Sequence, residues 1–435
     1  MGRTHFSHQM KVIPIMDSSI RVTPPAKDTV HPTHLVATTS LVIALCILGD
    51  SLMYSILPLE AGHLDISLPL VGVLLSANRL IRLISNGWAS TIYERFGPRR
   101  PLIGAAILGL ISTVLYGVGW GFALFLGARM LWGIAWSGLR QGGYQAVWHG
   151  GQATKGRLTG LLWGIVRLGS ATAVLGGGFL YDRYGYTTTI AVVATLTAAA
   201  LPVALSIQWP TTAHNQHVDN KAKHESKQHN KQMQWSVWLD LLRTPLVRWL
   251  LGAGAIQLFL SGIVVSTTSI YLAERLQVGE NTLLFGIGVA TITGLLQGVR
   301  WLSDITVGPT IGRLSDHFGQ SLMALLLCLT STVAIFGLVT LTDLWALLAL
   351  FLYFLCDSGI NVTLSAAASG VAMHHGRPHY LIGAYTTAGD LGSALGPLLA
   401  FSIGRYLGLP ITYAFTAIIG LLVVVRYITL QRKSR

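Results

Sequence analysis

Apolar residues are gathered along this chain into roughly twelve long blocks, separated by short polar connections. The blocks lie at about 35–58, 67–92, 100–119, 121–145, 157–181, 188–207, 246–272, 283–310, 321–340, 344–372, 381–404 and 408–428. Each holds about 18 to 28 residues, enough for a helix rising 1.5 Å per residue to cross a hydrocarbon core of about 30 Å. The pattern predicts an all-α integral membrane protein with twelve transmembrane helices. One long polar stretch, 208–245, rich in His, Lys, Gln and Asn, divides them six and six. The expected organisation is a tail at 1–34, a six-helix bundle at 35–207, a linker at 208–245, a second six-helix bundle at 246–428 and a tail at 429–435. The linker composition predicts a segment without a packed core.

Composition agrees: 52% of residues are hydrophobic and only 11% charged, against about 25% charged in soluble domains. The polar first 34 residues and the long first block, which lacks a small-residue cleavage site, predict no cleaved signal peptide. Phe6 stands where a myristoylation motif needs Ser or Thr. The net charge of +13 could suggest a nucleic-acid partner, but its placement does not. With the amino terminus in the cytoplasm, cytoplasmic segments hold 19 of the 30 Lys and Arg and the outer segments hold three, Arg183, Arg275 and Arg405. That asymmetry predicts an inner or plasma membrane protein with both termini cytoplasmic. Cys46, Cys328 and Cys356 all lie inside apolar blocks, as packing residues rather than disulfide or metal-thiolate partners.

A repeat organises the connections. "STIYERFG" at Ser90–Gly97 is echoed by "GFLYDRYG" at Gly178–Gly185, by "GRLSDHFG" at Gly312–Gly319 and more weakly by "GRYLG" at Gly404–Gly408. The acids Glu94 and Asp182 are 88 residues apart, and Asp316 lies 88 before Gly404. The two halves also align at an offset of 223, with "RLGSATAV" from Arg167 against "DLGSALGP" from Asp390. Three-helix repeats nested in two pseudo-symmetric six-helix bundles are the architecture of one large transporter class.

With these motifs the chain resembles the major facilitator superfamily over about residues 35–428. "GRLSDHFG" is similar to the family's G-x-x-x-D-R-x-G-R-K/R loop signature, with His317 for its Arg and Gln320 and Ser321 for its basic pair. The copy after the second span keeps Arg95, Arg99 and Arg100 but has Ser90 for Gly and Glu94 for Asp. The resemblance makes Glu94, Arg95, Gly97, Arg99, Arg100, Gly312, Asp316 and Gly319 a gating-loop set. An acid there can pair with basic residues and with helix ends of the other half, holding one conformation closed. "RMLWG" at Arg129–Gly133 is similar to a fourth-span element tied to proton coupling, while the fifth span lacks the antiporter proline, carrying Ala173 and Val174 instead. Gly392, Gly396 and Pro397 form a G-x-x-x-G-P stretch suited to close helix approach.

Ionisable residues at bilayer depth are costly and are functional candidates by default. Nine stand near mid-depth: Asp50, Arg79, Arg82, Arg129, Arg167, Arg300, Asp304, Asp357 and Asp390. Arg140, Arg248 and Arg426, nearer the span ends, are expected to snorkel. Helical spacing stacks Asn78, Arg82, Ser85 and Asn86 on one stripe, Arg129, Gly133 and Trp136 on another, and Asp357, Asn361, Ser365 and Ser369 on a third. In the family that the chain resembles, spans 1, 4, 7 and 10 line the cavity. That implies Asp50, Arg129, Gln257, Asp357 and Asn361 as the substrate or proton residues. Arg79, Arg82, Arg167, Arg300, Asp304 and Asp390 are then inter-bundle or structural charges, with Arg167–Asp390 and Arg82–Asp304 as the expected pairs.

Arginines outnumber acids at mid-depth five to four, which leans the reading toward a small organic anion. No Gly-Lys-Ser/Thr nucleotide loop is present, so an ion gradient, protons above all, is the expected drive. The reading is a monomeric secondary transporter working by alternating access in contact with lipid, with a small-molecule substrate, no cofactor, no metal site and no nucleic acid. Drug or cation efflux, metal-related transport and a non-transporting sensor remain alternatives. A membrane enzyme has only the cluster His374, His375 and His379 to offer, and the pairs His5/His8, His31/His34 and His214/His217 read as solvated tails.

Overall fold

The protein is described by a computed structural model covering residues 31–119, 121–150, 154–210, 242–275, 287–374 and 378–434. Most of the linker, the cluster around His375 and the amino-terminal His5/His8 pair lie outside the described residues. In lipid every backbone polar group must be satisfied within its own segment, which leaves helices as the solution for apolar runs of this length. The amino-terminal half comprises α1 (Pro32–Cys46), α2 (Leu48–Glu60), α3 (Leu68–Phe96), α4 (Arg99–Val118), α5 (Gly121–Trp148), α6 (Lys155–Ala198) and α7 (Ala200–Ser206). The carboxyl-terminal half comprises α8 (Pro245–Arg275), α9 (Val289–Thr306), α10 (Gly308–Phe318), α11 (Gln320–Thr340), α12 (Asp343–His374), α13 (Pro378–Ser402), α14 (Gly404–Leu407) and α15 (Leu409–Ser434).

Nine helices among the described residues are long and apolar enough to cross a membrane. One of these, Lys155–Ser206, holds two of the expected spans, joined across a break at Gly185. The expected spans at 283–310 and 381–404 fall on α9 with α10 and on α13, the helices that carry Arg300, Asp304 and Asp390.

The fourfold repeat is visible in the backbone. Gly97, Gly185, Gly319 and Gly408, the terminal glycines of the four echoed motifs, have φ of 71°, 78°, 93° and 83°. Nothing crowds a Cβ at Gly97, Gly185 or Gly319. It is therefore the left-handed backbone, cheap only for glycine, that fixes the residue type there.

Hydrophobic packing separates the two ends of the bundle. At the end carrying the 5–6 and 7–8 connections, here the far end, one core runs through both halves and includes Leu52, Ile56, Leu75, Phe125, Ile263, Val264, Ala290 and Phe401. Toward the end where α7 stops and α8 starts, here the linker end, the core divides. Leu35, Val42, Leu102, Leu139 and Leu162 belong to a cluster of the first half alone. Leu250, Ile360, Leu364 and Tyr427 belong to one of the second. The halves thus close against each other at the far end and part toward the linker end.

Glycines allow that closure. A Cβ on Gly72 would meet the Pro397 carbonyl at 2.7 Å, and Cβ atoms on Gly178 and Gly294 would strike the carbonyls of Ala290 and Val174. Contacts of this kind matter because lipid tails compete equally for apolar side chains, leaving close van der Waals approach to hold helices together. Within the second half, Gly392 and Gly396 bring α13 onto Ala255 and Phe259 of α8 in the same way.

A polar latch completes the far end. The Asp182 carboxylate, at the turn inside α6, accepts the backbone N–H groups of Ala290 at 3.3 Å and Thr291 at 2.7 Å, and the Thr291 hydroxyl at 2.5 Å. An acid from one half therefore caps the positive end of α9 in the other, and a Cβ on Gly288 would run into it. Replacing Asp182 by Ala should cost the closed far end about 1 to 2 kcal/mol, roughly a tenfold change in population. Spin labels at the exposed positions Tyr184 and Ile287 should report a longer, broader distance in D182A than in the wild type.

Candidate functional site

A cavity of about 200 Å³ lies between the halves at mid-depth. Asp50, Ser51 and Tyr54 of α2, Arg79 and Arg82 of α3, Arg167 of α6, Gln297, Arg300 and Trp301 of α9, and Asp390 and Ser393 of α13 line it. Trp136 of α5 and Leu258, Ser261 and Val265 of α8 also line it, as does Ile47 between α1 and α2. Of the expected lining spans 1, 4, 7 and 10, the first three reach the cavity, and no lining residue comes from α12; α3, α6, α9 and α13 add most of the charged wall. The reason is steric. Gly133 lets α5 sit directly on the Asn78 carbonyl of α3, and α12 stands behind Arg300.

At the wall each half holds one ion pair, with Asp50 and Arg300 as the members that line the cavity. Arg129, fully buried, donates from Nη1 to Asp50 Oδ1 at 2.6 Å and to the Tyr116 hydroxyl at 3.3 Å, and from Nε to the Leu74 carbonyl at 3.1 Å. Asn78 donates to the same Asp50 oxygen at 2.9 Å, and the rings of Tyr54 and Tyr116 cover the guanidinium. In the second half the buried Asp357 accepts from Arg300 Nε at 2.6 Å, Gln257 Nε2 at 2.9 Å and Ser261 Oγ at 3.0 Å. Desolvation of Asp357 is offset by donors on both of its oxygens, whereas Asp50 takes both of its bonds on Oδ1 and Arg129 Nη2 is buried without a partner among the described residues. Asn78 and Arg300, 222 residues apart, occupy equivalent places, each donating to the acid of its own half.

Of the five residues expected to handle substrate or protons, only Asp50 therefore faces the cavity. Arg129, Gln257 and Asp357 form its supporting layer, and the Asn361 amide is turned back onto the Asp357 carbonyl at 2.9 Å. The stripe Ser85 and Asn86 is also spent internally, meeting Ser137 of α5 at 2.7 and 2.8 Å.

The inter-half pairs exchange partners relative to expectation. Arg167 meets Asp304 at 2.9 Å, not Asp390, and Asp304 also accepts from Ser358 at 2.5 Å. Arg82 makes no ion pair with Asp304 among the described residues and instead shares the cavity wall with Asp390. Symmetry explains the correction: a pseudo-twofold axis places equivalent residues on opposite sides of itself. Arg167 on α6 faces its neighbour α9, and Asp390 on α13 faces α3. The same operation relates the two pairs. In both, the first half supplies the arginine and the second the aspartate. Arg79 has no carboxylate partner among the described residues; its Nη1 donates to the Ser393 carbonyl at 2.6 Å and its guanidinium lies 5.0 Å over the Tyr54 ring.

The gating-loop residues sit at the linker end. Glu94, Arg95, Arg99, Arg100 and Asp316 are exposed, and Glu94 and Asp316 make no ion pair or side-chain hydrogen bond among the described residues. Arg99 donates to the Leu205 carbonyl at 3.0 Å, within its own half, and Arg95 lies against Phe96. Gly312 lies on exposed α10, and Gly97 and Gly319 form the turns described above. With the halves parted there, the copy in this bonding arrangement is Asp182 at the far end, which sequence reasoning recorded only as a repeat. No group of three or more metal-ligating side chains occurs among the described residues.

The exchanged pairing is checked by charge reversal. Arg167→Asp with Asp304→Arg should recover thermal stability that each single change loses, whereas Arg167→Asp with Asp390→Arg should recover none.

The model of the major facilitator superfamily matches residues 39–372. A bacterial homologue of the human lysosomal transporter Spinster, in an inward-facing and unoccupied conformation, superposes with a TM-score of 0.69 at 13% identity, covering 92% of this chain and 97% of that one. A D-xylose–proton symporter superposes with a TM-score of 0.71 at 14% identity, covering 91% and 96%. The chromaffin granule amine transporter of Rattus norvegicus is 24% identical over 282 residues, 62% of this chain and 49% of the relative, so the match spans about half that relative's length. Repeat, fold and family model agree, and the chain belongs to the major facilitator superfamily, as a multi-pass membrane protein.

Proposed function

We propose that the chain is a proton-coupled transporter of a small organic anion, a monomer working by alternating access between its two halves. The observation that carries this reading is Arg79, a cavity arginine whose only hydrogen-bond partner among the described residues is a backbone carbonyl. A guanidinium so placed keeps donors for a carboxylate or phosphate group. The surplus of five arginines over four aspartates at mid-depth supports the same sign. The distribution of Lys and Arg supports cytoplasmic termini in an inner or plasma membrane. The shared core at the far end then corresponds to a state open toward the cytoplasm.

A second reading is favoured by the likeness to the rat amine transporter and by Asp50 and Asp390 on the cavity wall: an organic amine held by a carboxylate. The two readings predict opposite ligands. Purified protein is heated with lactate, succinate or inorganic phosphate, and separately with tyramine, near pH 6 and pH 8. A ligand at about 100 times its Kd adds about 2.7 kcal/mol of stability. The anion reading expects stabilisation by an anion, stronger at the lower pH and lost in Arg79→Gln. Stabilisation by tyramine alone, retained in Arg79→Gln, refutes it in favour of the amine.

A further inference from the structure

Planar side chains are distributed unevenly around the cavity. Trp136 of α5 packs against Trp132 at 6.0 Å and against Trp163 of α6 at 6.4 Å between ring centroids, within the attractive range for aromatic pairs. Trp163 in turn lies 5.7 Å from the Arg167 guanidinium, which stands 4.7 Å from the ring of Trp301 across the seam between α6 and α9. Arg300 lies 4.5 Å from that same ring. Four members of this row, Trp136, Arg167, Arg300 and Trp301, line the cavity.

The charges on that side are already answered. Arg167 is paired with Asp304 and Arg300 with Asp357, so the row presents flat, polarisable groups and no surplus charge. The other seam, between α3 and α13, differs: its wall carries Arg79, Arg82 and Asp390, two cations to one acid. Ile47, Leu258 and Val265 supply apolar wall besides. The cavity is thus built with surplus positive charge at one seam and an aromatic surface at the other. Its volume of about 200 Å³ bounds what fits. An apolar protein cavity of about 150 Å³ holds one benzene molecule, which leaves room here for a single ring with a short acidic arm.

We propose that this site takes a carboxylate bearing one aromatic ring, with the ring against the row of Trp136, Arg167 and Trp301 and the carboxylate at Arg79. A guanidinium held by an aspartate still attracts the face of an aromatic ring, and neighbouring indoles attract its edge or face. A saturated ring of similar size has the same charge and apolar surface but no π-system. The surplus charge accepts small anions in general, and the row selects among them for the ring.

The inference rests on the anion reading, and a matched ligand series separates the two. Affinities of the purified full chain for benzoate, cyclohexanecarboxylate, benzylamine and cyclohexylmethylamine are measured by titration calorimetry. Benzoate is expected to bind about fivefold more tightly than cyclohexanecarboxylate, the size of one or two aromatic contacts. Trp136→Leu should reduce that preference to about twofold or less, with the affinity for cyclohexanecarboxylate unchanged as the mark of an intact site, while Trp136→Phe keeps the preference. Trp301→Leu repeats the test from the second half of the wall. Equal affinities for the two carboxylates in the wild type overturn the aromatic site and leave the anion reading standing. A preference untouched by both leucine variants overturns the assignment to this row. Binding of benzylamine over cyclohexylmethylamine, with neither carboxylate bound, removes the anion reading and upholds the ring site alone. Absence of binding by all four ligands overturns both.

Discussion

A charge at the middle of a bilayer costs several kcal/mol unless another group answers it, and this chain places nine there. Much of the bundle is arranged around that requirement. Asp50 draws α2, α3 and α5 together through Asn78 and Arg129, and Asp357 does the same for α8, α9 and α12 through Gln257, Ser261 and Arg300. Each half thus builds one polar centre around an acid. The charges left over are Arg79, Arg82, Arg167, Asp304 and Asp390, and of these Arg167 and Asp304 form an ion pair across the gap between the halves.

Those leftover charges are sorted by sign, arginine from the first half and aspartate from the second. The Arg167–Asp304 pair and the two cavity-wall residues Arg82 and Asp390 occupy places related by the pseudo-twofold operation, but only the first is bonded, as a 2.9 Å ion pair reinforced by Ser358. The symmetric fold supplies two equivalent places, and one of them holds an ion pair.

Closure depends on a different constraint. Where lipid removes the hydrophobic drive between helices, backbone approach at Gly72, Gly178 and Gly294 and the Asp182 cap on α9 hold the far end. The linker-end copies of the same motif, Glu94 and Asp316, stand exposed. One repeated sequence device therefore occurs in engaged and disengaged forms at opposite ends of a single structure.

The sequence by itself determined the membrane class, the two-half architecture, the fourfold repeat and the mid-depth charges, because apolar block length, repeat spacing and the rarity of buried charge are local or periodic properties. It also placed Asp50 in the cavity set. Which charge meets which was decided only by the tertiary structure. Arg167 chooses Asp304 over Asp390 because helix neighbours across a pseudo-twofold axis are set by packing, not by alignment of the repeats. The withdrawal of Arg129, Gln257, Asp357 and Asn361 behind the wall, and the conversion of Asp182 from an echo into a latch, depend on glycine contacts between segments distant in the chain. No periodicity along one helix contains that information, since it is fixed by which face of another helix comes to lie against it.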